Sequence, residues 1–237
     1  MTSYTQRTDG RDWADFRPIE AKAGVIDSAD GSGYIKIGNT TAYAAVYGPR
    51  ELHPRFMQDP KGGLLRCKYN MLPFAGAGER VRPGPSRRSK EISMVTEYAL
   101  RPVVDLKDYP NAVVDVFIEL TETDAGSRCA GICAASIALA DAGIKMKDMV
   151  AAISVGKVGD KIVVDLDGPE EHFDENNSAD IPVAMIPSTE EISLLQLDGK
   201  ITKEEVFKAF DMVKEPLKKI AEIQRQALRD KFKEAEK

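Results

Sequence analysis

Apolar and polar positions alternate from Ile19 to Gly48, and a run of turn formers, Ser28-Ala29-Asp30-Gly31-Ser32-Gly33, cuts the alternation. The pattern predicts antiparallel strands near Ala21–Ile26, at Tyr34–Ile37 and at Thr41–Val46. From Gly48 to about Ser86 the alternation gives way to a stretch rich in Pro, Gly and Arg, interrupted by a short strand at Leu64–Met71. Loops of that length in a compact chain usually carry function. A helix is expected from about Ser89 to Leu100, with Ser86 or Ser89 as its cap and Pro102 closing it. Val113–Leu120 reads as a strand. Ser127–Ala142 is small and apolar almost all round, which predicts a buried helix ended by Gly143.

Further strands are expected at Val150–Val155, Lys161–Leu166, Pro182–Ile186 and Ile192–Leu197. The last segment opens with a capping box, Thr202 with Glu205. Val206, Phe210, Val213, Leu217 and Ile220 then recur at spacings of four and three, an amphipathic helix that Pro216 is expected to kink. This order implies an α/β or α+β fold with mixed sheets and two related halves. The most natural break lies near Lys145–Val150.

Composition narrows the picture. The 237 residues are 43% hydrophobic, enough for a substantial core in one or two domains. No run of about 18 apolar residues occurs, so no membrane span is expected, and the first residues lack the apolar region of a secretory signal. Cys67, Cys129 and Cys133 make no disulfide framework, and two histidines give no zinc site. A reducing, cytoplasmic setting is the expectation. Charge is uneven: Arg50 to Lys90 holds ten basic residues against three acids, on a chain whose net charge is −5. A basic segment on an acidic body suits local phosphate binding, and its arginine bias suits bidentate contacts.

Three groups of residues could carry chemistry. Ser86-Arg87-Arg88-Ser89 sits at a helix entry, where free N–H groups and adjacent arginines would clamp a phosphate; the alternative is a solvated polar cap. Thr123-Asp124-Ala125-Gly126-Ser127-Arg128 precedes the buried helix. Its glycine permits close backbone approach and Arg128 offers a fork to a small oxyanion, unless Asp124 or Ser127 is merely a cap. In Phe173-Asp174-Glu175-Asn176-Asn177-Ser178-Ala179-Asp180, two aspartates six residues apart stand among further acids. Clustered carboxylates raise one another's pKa, which suits a general acid, or gather Mg²⁺; a plain acidic surface loop is the alternative. His53 and His172 have no partner pattern.

Together these groups resemble the RNase PH family over about Arg17 to Ile223. The resemblance is carried by Gly38-Asn39-Thr40-Thr41 with Tyr47-Gly48-Pro49-Arg50-Glu51, by Pro83-Gly84-Pro85-Ser86-Arg87-Arg88-Ser89, by Asp124-Ala125-Gly126-Ser127-Arg128, and by Asp165-Leu166-Asp167 leading to Asp174 and Asp180. Leu52-His53-Pro54-Arg55 and Ala179-Asp180-Ile181-Pro182-Val183-Ala184 look most like the catalytic RNase-PH-like subunits of archaeal exosomes. The resemblance implies an α+β fold of two βαββα-type halves, each like domain 2 of ribosomal protein S5, divided as residues 1–148 and 149–237, with a long C-terminal helix. It implies a phosphate-dependent 3′-to-5′ exoribonuclease that releases nucleoside diphosphates, reversible to RNA tailing.

The implied assembly is a hexameric ring, a trimer of heterodimers with a homologous non-catalytic subunit, capped by RNA-binding subunits with S1 or KH domains. Carried over residue by residue, Arg87 and Arg88 would hold RNA near the scissile bond. Gly126, Ser127 and Arg128 would bind inorganic phosphate, the co-substrate. Asp174 would be the catalytic carboxylate, and Asp180 would support it or, with Asp174, hold Mg²⁺. Arg66 and Lys68 resemble a basic RNA-binding loop at the ring's entry neck. The rival readings are a homohexameric RNase PH trimming tRNA 3′ ends, a non-catalytic RNA-binding ring subunit, and a metal-dependent hydrolytic nuclease using Asp174 and Asp180.

Overall fold

A computed structural model describes residues 4–76, 80–173 and 178–235. Its first sheet has five strands in the order β1 (Ile19–Ala23), β2 (Gly31–Ile37), β3 (Thr40–Glu51), β5 (Ala112–Glu122) and β4 (Leu64–Met71). All neighbours are antiparallel except β4 and β5, which makes the sheet mixed. β3 runs past Gly48 to Glu51, so the expected long loop is shorter than its composition suggests, and β4 interrupts it where expected. Val114, Val116, Ile118 and Leu120 on β5 face inward and are buried, while Asp115, Phe117 and Glu119 alternate with them on the outer face.

The second sheet is antiparallel. It follows the order β10 (Asp198–Gly199), β8 (Ser178–Ile186), β6 (Ala151–Val158) and β7 (Lys161–Val164), with β9 (Glu191–Leu195) also on β8. Three helices lie between the sheets: α1 (Arg87–Leu100) spans β4 and β9, α2 (Ser127–Asp141) spans both sheets centrally, and α4 (Lys203–Ala235) spans β1 and β6.

This placement explains why α2 has no polar face. With a sheet on either side, large side chains would hold the layers apart, and its alanines, glycine and cysteines do not. Gly33 on β2 lies so near that a Cβ there would stand 2.4 Å from the Ala134 carbonyl oxygen. Cys129 and Cys133 are buried in this layer, Cys67 beside it on β4, and all three are free thiols.

Local signals fixed the helix ends. Ser86 caps α1: its hydroxyl accepts the Ser89 N–H at 3.0 Å and the Ser89 hydroxyl accepts the Ser86 N–H at 2.8 Å. Thr202 and Glu205 form the expected box before α4. The 33 residues of α4 run continuously through Pro216, which costs the helix one backbone hydrogen bond but not its continuity. Val213, Leu217, Ile220 and Ala221 are buried on both sides of that proline, and Gln224 pins the helix by donating to the Cys133 and Val150 carbonyls at 3.1 Å.

Residues 4–17 hold no strand or helix, yet they pack on the second sheet, where Tyr4 and Trp13 cover Val158, Val163 and Leu166. Among the described residues no helix is long and apolar enough to cross a membrane.

The Gly33 contact is testable. Gly33→Val would push two methyl groups into the α2 backbone and cost about 1–3 kcal/mol. A thermal melt of the variant should show a midpoint several degrees lower; an unchanged midpoint would mean that the layers are not this close.

Candidate active site

The entry to α2 is built by a turn of uncommon backbone conformation. Ala125 and Gly126 are successive left-handed residues, with φ of 59° and 63°. Thr40 holds this turn, its hydroxyl accepting the Asp124 N–H at 2.8 Å and donating to the Ala125 carbonyl at 2.7 Å. The Arg17 guanidinium donates to the Asp124 carbonyl. Carbonyls are thereby drawn back, and the positive end of α2 faces open space. Neither Asp124 nor Ser127 caps the helix: its N-cap is Gly126, without a side-chain bond. The Asp124 carboxylate instead accepts the Gly168 N–H at 3.0 Å and the Asn39 amide at 3.2 Å.

This entry opens on a cleft of about 750 Å³. Gly126, Ser127 and Arg128 form one wall, Arg88 and Glu91 of α1 another, and Asp180 of β8 a third. Arg88 and Arg128 thus meet in one space, although 40 positions of sequence separate them. Arg87, exposed at the first position of α1, does not line the cleft. Asp174 lies outside the described residues, which resume four positions later at Ser178.

Arg66 and Lys68 project from the outer face of the first sheet. Arg66 forms a bidentate pair with Asp115 at 2.5 and 2.8 Å, and Lys68 stands 5.1 Å over the Phe117 ring. Neither is among the cleft-lining residues. The basic segment is therefore not a single patch, since Arg50 also pairs with Asp30 at 3.3 Å.

The acidic wall joins Asp180 and Glu171, one of the further acids near the aspartates in the sequence, to Asp198, which the sequence did not single out. Burial pushes the Asp180 carboxyl up, and Asp198, its cross-strand partner on β10, adds to the shift; the Ser154 hydroxyl and Arg128 oppose it. Glu171 also lines the cleft. Burial first, and then the charge of Asp180, raise its carboxyl to about 7, against the pull of His172, the Gly126 N–H and Arg88. His172, with no sequence partner pattern, lines the same space and places Nδ1 2.8 Å from the Gly168 carbonyl.

Among the described residues no group of three His, Cys, Asp or Glu side chains could hold a metal ion. The donors at this corner are nevertheless carboxylate oxygens, the type Mg²⁺ takes.

Glu171 belongs to a short helix, α3 (Gly168–Glu171), that periodicity could not show. Its signal was the pair Asp167 and Glu170, a capping box in which each side chain accepts the other's N–H. The N-terminal segment locks this helix from outside. Arg7 donates to both carboxylate oxygens of Glu170 at 2.8 Å, with both side chains wholly buried, and also to the Val164 and Asp165 carbonyls. Tyr4 adds its hydroxyl to Glu170 at 2.7 Å. Arg17 grips Asp165 bidentately at 2.8 Å.

The model for the first domain of the 3′ exoribonuclease family matches residues 15–145, and that for the second matches residues 148–215. The chain belongs to the RNase PH family. Its relatives include the protein named exosome complex component Rrp41 of Pyrococcus furiosus, 49% identical over 227 residues, 96% of this chain and 89% of that one. The Rrp41 of Methanopyrus kandleri is 48% identical over 95% of this chain and 93% of its own length. That of Nitrosopumilus maritimus is 47% identical over 98% and 93%. The RNase PH fold is seen also in the crystal structure of rice (Oryza sativa) Rrp46, with a TM-score of 0.83 at 22% identity, covering 94% of this chain and all of that one.

Arg17→Ala would take the bidentate partner from the buried Asp165 carboxylate, leaving it the residue-17 backbone N–H and Arg11 at 3.3 Å, and would release the Asp124 carbonyl. Breaking a buried pair costs about 3–5 kcal/mol, so urea unfolding should show a loss of that size. Arg17→Lys should recover only part of it, because an ammonium cannot span both carboxylate oxygens and the carbonyl. Wild-type stability in Arg17→Ala would remove this pair from the framework of the site.

Proposed function

We propose that this RNase PH family chain is a phosphorolytic 3′-to-5′ exoribonuclease subunit of an exosome ring. The observation that carries the reading is the entry to α2: a positive helix end, held open by Thr40 and Arg17, with Arg128 and Arg88 beside it and a carboxyl wall opposite. Such a place suits two phosphoryl groups, the incoming inorganic phosphate at Gly126, Ser127 and Arg128 and the terminal phosphodiester of RNA at Arg88, with Arg87 next along the strand.

A phosphate oxygen attacks the phosphorus of the last phosphodiester, and the bond to the 3′ oxygen of the preceding nucleotide breaks. The nucleotide leaves as a diphosphate. Asp174, as the general acid, gives its proton to the departing 3′ oxygen. Positioning and charge neutralisation supply most of the rate. One phosphoryl linkage replaces another, so excess nucleoside diphosphate should drive tailing. Mg²⁺ held by Asp174 and Asp180 would neutralise phosphate charge; no step here depends on it.

The names of the relatives support an exosome, in which this subunit alternates with a homologous non-catalytic one in a hexameric ring under S1- or KH-domain caps. Three free cysteines fit a reducing cytoplasm. Arg66 and Lys68 would meet RNA only along the outer face of the first sheet, with Arg66 leaving Asp115 to do so.

Product analysis tests the reaction. Labelled RNA with inorganic phosphate should give nucleoside diphosphates; monophosphates would mean the hydrolytic alternative. Asp174→Asn should lower kcat by about 10²–10⁴-fold while RNA binding persists, and normal turnover in that variant would remove Asp174 from the mechanism. Arg128→Ala should raise the KM for phosphate by about 10- to 100-fold, the loss of a charge-assisted bond, with RNA affinity little changed.

A further inference from the structure

The guanidinium of Arg128 does not stand alone in the cleft. Its Nη1 donates to the side-chain oxygen of Gln196, and the amide nitrogen of Gln196 donates to Glu91 Oε1 at 3.0 Å. The three residues come from three elements: Arg128 from the first turn of α2, Glu91 from α1 one turn beyond Arg88, and Gln196 from the connection between β9 and β10. The backbone of Gln196 is itself fixed, its N–H donating to the Pro182 carbonyl at 3.2 Å. Gln196 also lines the cleft with Arg128 and Glu91.

The chemistry of this bridge suits an amide. Arginine has only donors and a carboxylate has only acceptors, so a residue joining them must accept at one end and donate at the other. Glutamine does so in a single orientation, and Glu91 on one side fixes which end meets Arg128. A carboxylate in its place would hold Arg128 more strongly but cancel its charge, in competition with an incoming anion. An apolar side chain would leave the fork free to turn. The amide orients the cation and leaves its charge intact.

We propose that Gln196, backed by Glu91, is a positioning residue that aims Arg128 at the entry of α2 and so sets affinity for the attacking phosphate. The proposal rests on the phosphorolytic reading of this site. It places a determinant of phosphate affinity in the second half of the chain, whereas the phosphate turn is in the first.

The test is steady-state phosphorolysis by the assembled complex, with phosphate and RNA varied separately. Gln196→Met keeps the length and removes both bonds; it should raise the phosphate KM by about 3- to 10-fold, the size of one ordinary net hydrogen bond, since the residue acts through Arg128 and not on the phosphate. Gln196→Glu should raise it further, by putting a negative charge against Arg128. In both, kcat at saturating phosphate and the KM for RNA should change far less. Thermal melts establish that each variant is folded.

An unchanged phosphate KM in folded Gln196→Met, or a Gln196→Glu variant that binds phosphate better than wild type, would overturn the proposal. Equal losses for phosphate and RNA would also overturn it, since they would mark a general disturbance of the cleft. If the wild-type complex degrades RNA without phosphate, the phosphorolytic reading falls and takes this inference with it. Phosphate-dependent wild type with a wild-type-like Gln196→Met would sink the inference alone.

Discussion

Arg17 and Asp165 are 148 positions apart in the chain and form a bidentate buried pair. The same guanidinium reaches the Asp124 carbonyl, so a single side chain fixes the turn at the entry of α2 in the first half against the strand end that leads to the acidic wall of the second. A buried pair of this kind adds little net stability over a well-packed apolar substitute, because desolvation offsets most of the attraction. Its value is directional. Apolar contacts would let the halves slide by an ångström or two, whereas a planar fork on a planar carboxylate does not. Phosphoryl transfer needs that order of accuracy.

Electrostatics at the cleft follow from what is neutralised elsewhere. Part of the basic segment's excess is neutralised locally, by Arg50 on Asp30 and by Arg66 on Asp115. Arg88 and Arg128 remain in the cleft, and they face Asp180, Glu171 and Asp198. Cations and raised carboxyls in one small space are the electrostatic arrangement found at sites that bind and react anions.

Much of this was legible in sequence, for reasons that differ by element. β5 could be read because one face is buried and the other is not, and α2 because a helix between two sheets must be small all round. The Ser86 cap and the box of Thr202 with Glu205 depend on residues three apart. The N-terminal segment gave no signal, because Arg7, Arg11 and Arg17 have their partners at Asp165 and Glu170. Gln196 was equally silent: a glutamine after a strand is ordinary until Arg128 and Glu91 arrive beside it. Arg66 and Lys68 enter as RNA contacts by family resemblance; that they stand on the outer face of β4, with Asp115 on the neighbouring strand, no local pattern shows. Glu171 was visible as one of the acids clustered near Asp174 and Asp180, and the Asp167 and Glu170 box fixes the helix that carries it.

The middle layer has a further consequence. α2 comes from the first half but forms the floor of the second sheet, while α4 comes last and covers β1. The opening residues cross over in the other direction, to roof β7 and α3. The two halves, each recognisable as a family domain in its own right, are thus interleaved as tenants of a shared wall. Evolution can vary the outer faces of the two sheets separately, but the inner faces must change in concert, since any enlargement on one side of α2 is felt on the other.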